Sequence, residues 1–183
     1  MRLPRAPASL LPFIRQFASC TPQLPSTLAP VITPIRVDAE IDTDRLLTLC
    51  NWLQRRSVGL AVFNTNSEGN SFSLRQKSTA LAHLVRGGII PGNMMPGIGA
   101  CSLDDSVSLA CSALDNGIST MLMLPPWYYN TPAFLSDEGL FRFFATTIDK
   151  IAAAAPPSAP PLKIFLYNMF VPVHFKSPLL YTV

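Results

Sequence analysis

Five short apolar runs, almost unbroken, punctuate the chain at 31–35, 59–63, 94–99, 120–124 and 164–167. Runs that are continuous rather than alternating suit strands buried on both faces, as in a parallel sheet. Between them the period changes. Leu46, Leu49, Cys50 and Leu53 follow helical spacing behind a cap at Asp42 or Thr43. Leu74, Ser78, Leu81 and Val85 follow Ser73 and stop at Gly87-Gly88. Val107, Ala110, Cys111 and Leu114 follow Ser102, with Asp104 and Asp105 in the first turn and Gly117 as the stop. Leu140, Phe144, Thr147, Ile148 and Ile151 follow Ser136, again with two acids, Asp137 and Glu138, beside the cap. Short hydroxyl or carboxylate side chains satisfy the free N–H groups of a first turn, and acids there complement the helix dipole. Strands that alternate with amphipathic helices predict an α/β domain with right-handed crossovers. Periodicity alone leaves an open doubly wound sheet and a (β/α) barrel equally available.

Composition narrows the classes. Of 183 residues, 49% are apolar and 14% charged, which excludes a disordered, acidic or coiled-coil chain. No stretch approaches the roughly 18 apolar residues of a spanning helix, so no membrane association is expected. The net charge of +3 is local. Residues 1–37 carry Arg2, Arg5, Arg15 and Arg36 and no acid, whereas the remainder is slightly acidic. A body without a basic face predicts no nucleic-acid partner. Residues 1–29, acid-free and rich in proline, read as a leader outside the fold. Its composition fits a mitochondrial transit segment or an unstructured leader on a cytoplasmic protein.

Four cysteines, Cys20, Cys50, Cys101 and Cys111, form no C-x-x-C pair, and His83 and His174 stand at no ligand spacing from them. Neither a metal nor a cofactor is expected. Gly97-Ile98-Gly99 is the nearest approach to a dinucleotide fingerprint, but Ser102 stands where its third glycine belongs.

The polar positions worth attention follow the apolar runs, where barrel enzymes carry their chemistry. After 59–63 comes Asn64-Thr65-Asn66-Ser67-Glu68-Gly69, a turn whose amides and hydroxyl suit a carboxylate. After 120–124 comes Pro125-Pro126-Trp127-Tyr128-Tyr129-Asn130. Its tyrosines read either as a proton relay or as rings plugging a barrel mouth. The last run ends in Tyr167-Asn168, a phenol at a strand tip.

In order and spacing, six motifs resemble the dihydrodipicolinate synthase / N-acetylneuraminate lyase family of class I aldolases. They are P-V-I-T-P at 30–34, N-T-N-S-E-G at 64–69, M-P-G-I-G at 95–99, P-P-W-Y-Y-N at 125–130, S-D-E-G-L-F-R-F-F at 136–144 and L-Y-N at 166–168. The resemblance implies a (β/α)8 TIM-barrel type, truncated here after about five βα units. It implies a lyase that makes or breaks a carbon–carbon bond between pyruvate and an aldehyde through a lysine Schiff base. Homo-oligomers are implied as well. Thr65 and Asn66 fall where the family holds the pyruvate carboxylate, and Tyr167 falls on its proton-shuttling tyrosine. Tyr129 falls on a tyrosine placed near the site, in some members from a neighbouring subunit. Asn64 replaces the usual glycine and is expected to tolerate left-handed backbone. Ser67 replaces a glycine of the synthase branch. The family's Schiff-base lysine has no counterpart: Lys163 begins the tyrosine's own strand, and Lys176 lies in the unmatched tail, 169–183. The expectations are therefore a partial aldolase-type barrel over 30–168, inactive alone, with unpaired sheet edges and a tendency to self-associate. The alternatives are a non-catalytic truncated barrel or a small α/β binding module.

Overall fold

The computed structural model describes residues 24–129, 136–157, 159, 161–167 and 180–182. Five strands are present: β1 (Leu28–Pro30), β2 (Gly59–Ala61), β3 (Thr120–Met123), β4 (Lys163–Leu166) and β5 (Leu180–Thr182). Four helices alternate with them: α1 (Thr43–Gln54), α2 (Leu74–Arg86), α3 (Leu103–Asp115) and α4 (Asp137–Ala154).

Each helix starts where its cap dictates. Asp42, Ser73, Ser102 and Ser136 accept from the backbone N–H groups of Arg45, Gln76, Asp105 and Gly139. Ser73 and Gln76 close a full capping box, with the Gln76 side chain accepting the Ser73 N–H at 2.9 Å. Gly88 and Gly117 follow α2 and α3 with φ of 93° and 74°, a left-handed conformation that glycine adopts without penalty.

β1 pairs parallel with β2, and β3 pairs parallel with β4. Segment 94–98 joins the two pairs through parallel bridges, Leu60↔Met94 and Gly97↔Leu122. The strand order is therefore β1, β2, 94–98, β3, β4 without reversal, the order of a barrel wall rather than of a sheet with a switch point. Consecutive helices pack on one another and on one face of this arc. Leu60, Val62, Met121, Met123 and Ile164 alternate along the strands and meet Leu46, Leu84, Leu109 and Leu140 from the four helices in one buried cluster.

Three expectations change. The first strand lies at 28–30, inside the segment read as leader, and not over the apolar run 31–35. Val31 still donates to the Ala61 carbonyl, but Phe63, which would accept next, turns away with φ of 56° and the ladder ends. Ile32 is left 66% exposed, and Ile35 pairs instead with Ile41 in a local hairpin. The third strand is reduced to isolated bridges by a proline. Pro96 accepts from Leu122 at 2.9 Å but has no N–H to return. Finally, the β4 edge, expected to be bare, carries β5 in antiparallel register. Residues 1–23 of the expected leader and 168–179 of the tail lie outside the described residues.

Cys50 is sealed under α1, where burial pushes its thiol up to about 12. The more surprising buried group is Lys77 on α2, only 6% exposed, with Asp105 of α3 the charge that opposes its desolvation. Burial lowers its pKa, so the native state binds fewer protons than the unfolded chain between the lowered and the ordinary lysine value. The penalty is full below the lowered value and is relieved as pH rises through that window. Replacing Lys77 by Met should raise the unfolding free energy at pH 7 by about 1 kcal/mol. Denaturant titrations should show that advantage shrinking as pH approaches 10 or so. An advantage independent of pH would contradict the burial account.

Candidate functional site

Parallel strands end together, so the turns after β2, 94–98 and β3 and the tip of β4 gather at one edge of the arc. The turn after β2 is the most constrained. Phe63, buried, has φ of 56°, a left-handed backbone that a phenylalanine adopts at a cost of about 1–2 kcal/mol. Asn64 is extended instead, with φ of −88°. The left-handed residue therefore precedes the position where the sequence suggested it. The bend turns Thr65–Ser67 into one 3-10 turn, closed by the Ser67 and Glu68 N–H groups donating to the Asn64 and Thr65 carbonyls.

Two glycines make room for that bend. A Cβ on Gly69 or on Gly97 would overlap the Phe63 carbonyl, and one on Gly97 would also stand 2.6 Å from Asn64 Oδ1. Three side-chain bonds pin the turn to its neighbours. Asn64 Nδ2 donates to the Met95 carbonyl at 3.1 Å, Ser67 Oγ to the Ala61 carbonyl at 2.9 Å, and Thr33 Oγ1 to the Ser67 carbonyl at 2.7 Å. Thr33 and Ser67 are buried and go unnoticed as site-builders in the sequence. Thr33 sits within the P-V-I-T-P motif, and Ser67 looked like a mere loss of glycine.

Within this frame, two polar atoms are buried without a hydrogen-bond partner among the described residues, Asn64 Oδ1 and Thr65 Oγ1. The Met95 carbonyl fixes the Asn64 amide orientation, so its oxygen faces Gly97. Leaving such groups unpaired costs about 1–3 kcal/mol each, and such sites call for a functional explanation. Asn66, next in the turn, is exposed.

After β3, a second 3-10 turn, Trp127–Tyr129, holds Tyr128 and Tyr129 with rings edge to face at 5.4 Å. The Tyr128 N–H donates to Cys101 Sγ at 3.4 Å, which ties this turn to the one before α3. Tyr128 is 78% and Tyr129 45% exposed, so neither ring plugs the arc. Asn130 and Asn168 lie outside the described residues. Tyr167 continues β4, its N–H bonded to the Met123 carbonyl at 2.9 Å, with the residue 38% exposed. The four singled-out residues, Thr65, Asn66, Tyr129 and Tyr167, thus occupy turns or strand tips at the same edge. No group of three or more His, Cys, Asp or Glu side chains is arranged around a metal position among the described residues. No helix among the described residues is long and apolar enough to cross a membrane.

The profile of the dihydrodipicolinate synthetase family matches residues 23–168. The chain belongs to that family. It is 30% identical over 147 residues to 4-hydroxy-tetrahydrodipicolinate synthase of Dichelobacter nodosus, covering 78% of this chain and 44% of that protein. Against the same enzyme of Coxiella burnetii the identity is 26% over 144 residues, covering 78% and 45%. Dihydrodipicolinate synthase of Agrobacterium tumefaciens superposes with a TM-score of 0.68 at 26% identity, covering 78% of this chain and 47% of that one. A variant of 2-keto-3-deoxygluconate aldolase from Sulfolobus solfataricus, solved as a pyruvate complex, gives 0.65 at 26%, covering 79% and 45%. The chain therefore spans somewhat less than half the length of these relatives, and its arc is a partial TIM-barrel wall of the aldolase type.

Gly69 and Gly97 should be the least replaceable glycines of this edge. Gly97→Ala is expected to cost about 2–3 kcal/mol through overlap with the Phe63 carbonyl. Gly88→Ala, at positive φ but in open space, should cost only about 1 kcal/mol. Chemical denaturation of the two variants checks the order.

Proposed function

We propose that this edge is the carboxylate- and proton-handling half of a pyruvate-dependent aldolase site, and that the chain does not itself form the imine. The observation that carries the reading is the unpartnered, buried Thr65 hydroxyl at the end of β2. In the 3-10 turn the N–H groups of Thr65 and Asn66 precede the first intra-turn donor, the Ser67 N–H. Together with the hydroxyl they form the concave set of donors that a carboxylate needs. Tyr167 is the proposed proton shuttle: a phenol at the tip of β4 is placed to serve a substrate held from the tip of β2. Tyr129, half-exposed, is proposed to act near the same site, and in an oligomer to reach a neighbouring copy. Asn64 brings an acceptor where the family usually has a bare backbone. A hydroxyl or other donor on the bound 2-oxo acid or its aldehyde partner would satisfy it.

An imine needs an amine near the bound carbonyl, unprotonated often enough to attack. None of the three lysines among the described residues meets both demands. Lys150 pairs with Asp104 at 3.1 Å on the surface. Lys163 begins β4, four residues and about 13 Å from Tyr167 along the strand. Lys77 is desolvated, but it sits in the helical layer between α2 and α3. Lys176 lies outside the described residues. Binding without turnover is the proposed state of this chain, with 30–168 as the partial barrel and pyruvate and an aldehyde as the ligand class.

Borohydride reduction in the presence of pyruvate, followed by intact-mass measurement, tests this. The expected result is unmodified protein. A stoichiometric reduced pyruvyl adduct, mapped to Lys77, Lys163 or Lys176, would overturn the claim that the chain forms no imine.

A further inference from the structure

The two edges of the arc are closed by different means. Along β4, the N–H groups of Lys163 and Tyr167 donate to the Ser119 and Met123 carbonyls at 2.8 and 2.9 Å. Odd-numbered residues of this strand thus direct their backbone groups to β3. Backbone groups alternate sides along a strand, so Ile164 directs its N–H and C=O outward. Tyr181 of β5 lies directly opposite Ile164 in antiparallel register. That pair is the one that exchanges both hydrogen bonds. A barrel continues from this edge by a parallel strand. One row of donors serves one neighbour, and here the neighbour runs the other way.

On β1, Gly59 donates to the Thr27 carbonyl and Val31 donates to the Ala61 carbonyl. Odd-numbered residues therefore face β2, and Pro30 faces the other edge, which no described strand pairs and where it offers no N–H. Proline on an edge strand blunts pairing with another chain.

We propose that β5 is a strap that occupies the seat of the sixth barrel strand and that, with Pro30 on the opposite edge, it makes the arc self-limiting. The occupant of the β4 edge is this chain's own 180–182. While it is seated, no further parallel strand joins there and no second copy pairs with that edge. Only the naming of the seat as the sixth rests on the aldolase reading above. The pairing itself does not.

Amide hydrogen exchange on the full chain, with and without single prolines in the strap, tests the proposal. In the unaltered chain the Ile164 amide should be protected, since β5 is its acceptor. Tyr181→Pro removes the paired donor and should speed Ile164 exchange by about tenfold or more. Thr182→Pro, whose N–H points away from β4, should leave Ile164 protected. By size-exclusion chromatography Tyr181→Pro should shift toward larger species and Thr182→Pro should not. An Ile164 amide that exchanges equally fast with and without Tyr181→Pro would remove the strap. Equal damage from Thr182→Pro would overturn the register. Exposure of Ile164 with no change in assembly would overturn the self-limiting role. Each of these outcomes is independent of whether pyruvate binds.

Discussion

The backbone of Phe63 is the constraint around which the candidate site is arranged. A buried phenylalanine in left-handed conformation is unfavourable by about 1–2 kcal/mol. The bend persists because its surroundings over-determine it. Gly69 and Gly97 leave space for its carbonyl, and Asn64, Ser67 and Thr33 tie the following turn to three different neighbours. The outcome is a turn held rigidly at the strand ends with the Thr65 hydroxyl and an amide oxygen left unpaired. Strain and unsatisfied polar atoms together mark a place where stability has been sacrificed for a function.

Much of this was legible in the sequence where the cause is local. Asp42, Ser73, Ser102 and Ser136 each announce a helix start, because a cap needs only its own first turn. The six motifs likewise gave the family and the barrel order. The sequence was silent where the cause is long-range. Nothing near Thr33 signals that its hydroxyl bonds a carbonyl 34 residues away. Nothing in the tail signals that 180–182 pairs with β4. The pattern at 31–35 looked like a strand because its apolar residues are contiguous, yet Phe63 turns the neighbouring strand away and Ile35 bridges to Ile41. Asn64, in the place of a family glycine, is a residue that tolerates left-handed backbone, but the fold places the bend one residue earlier. Lys77 escaped notice because a lysine within a helical pattern ordinarily faces water.

A parallel arc that spans less than half of its relatives' length has two needs that a whole barrel meets by closure: paired edges and a complete site. The described residues meet the first within the chain, through β5 on one side and Pro30 on the other. The second is met, on the proposed reading, only in part: the strand tips hold groups suited to a carboxylate and a proton, and no lysine among the described residues stands with them as an imine-forming amine.

On the proposed reading, the turn after β2 holds a carboxylate through the Thr65 hydroxyl. Amide NMR titration with pyruvate tests it most directly, in the unaltered chain and in Thr65→Val, which keeps the side chain's shape and removes its hydroxyl. The account predicts saturable shifts centred on 63–69 and 95–99, with affinity weakened about tenfold or more in Thr65→Val. Shifts that fail to saturate, or equal affinity in the two proteins, would contradict it.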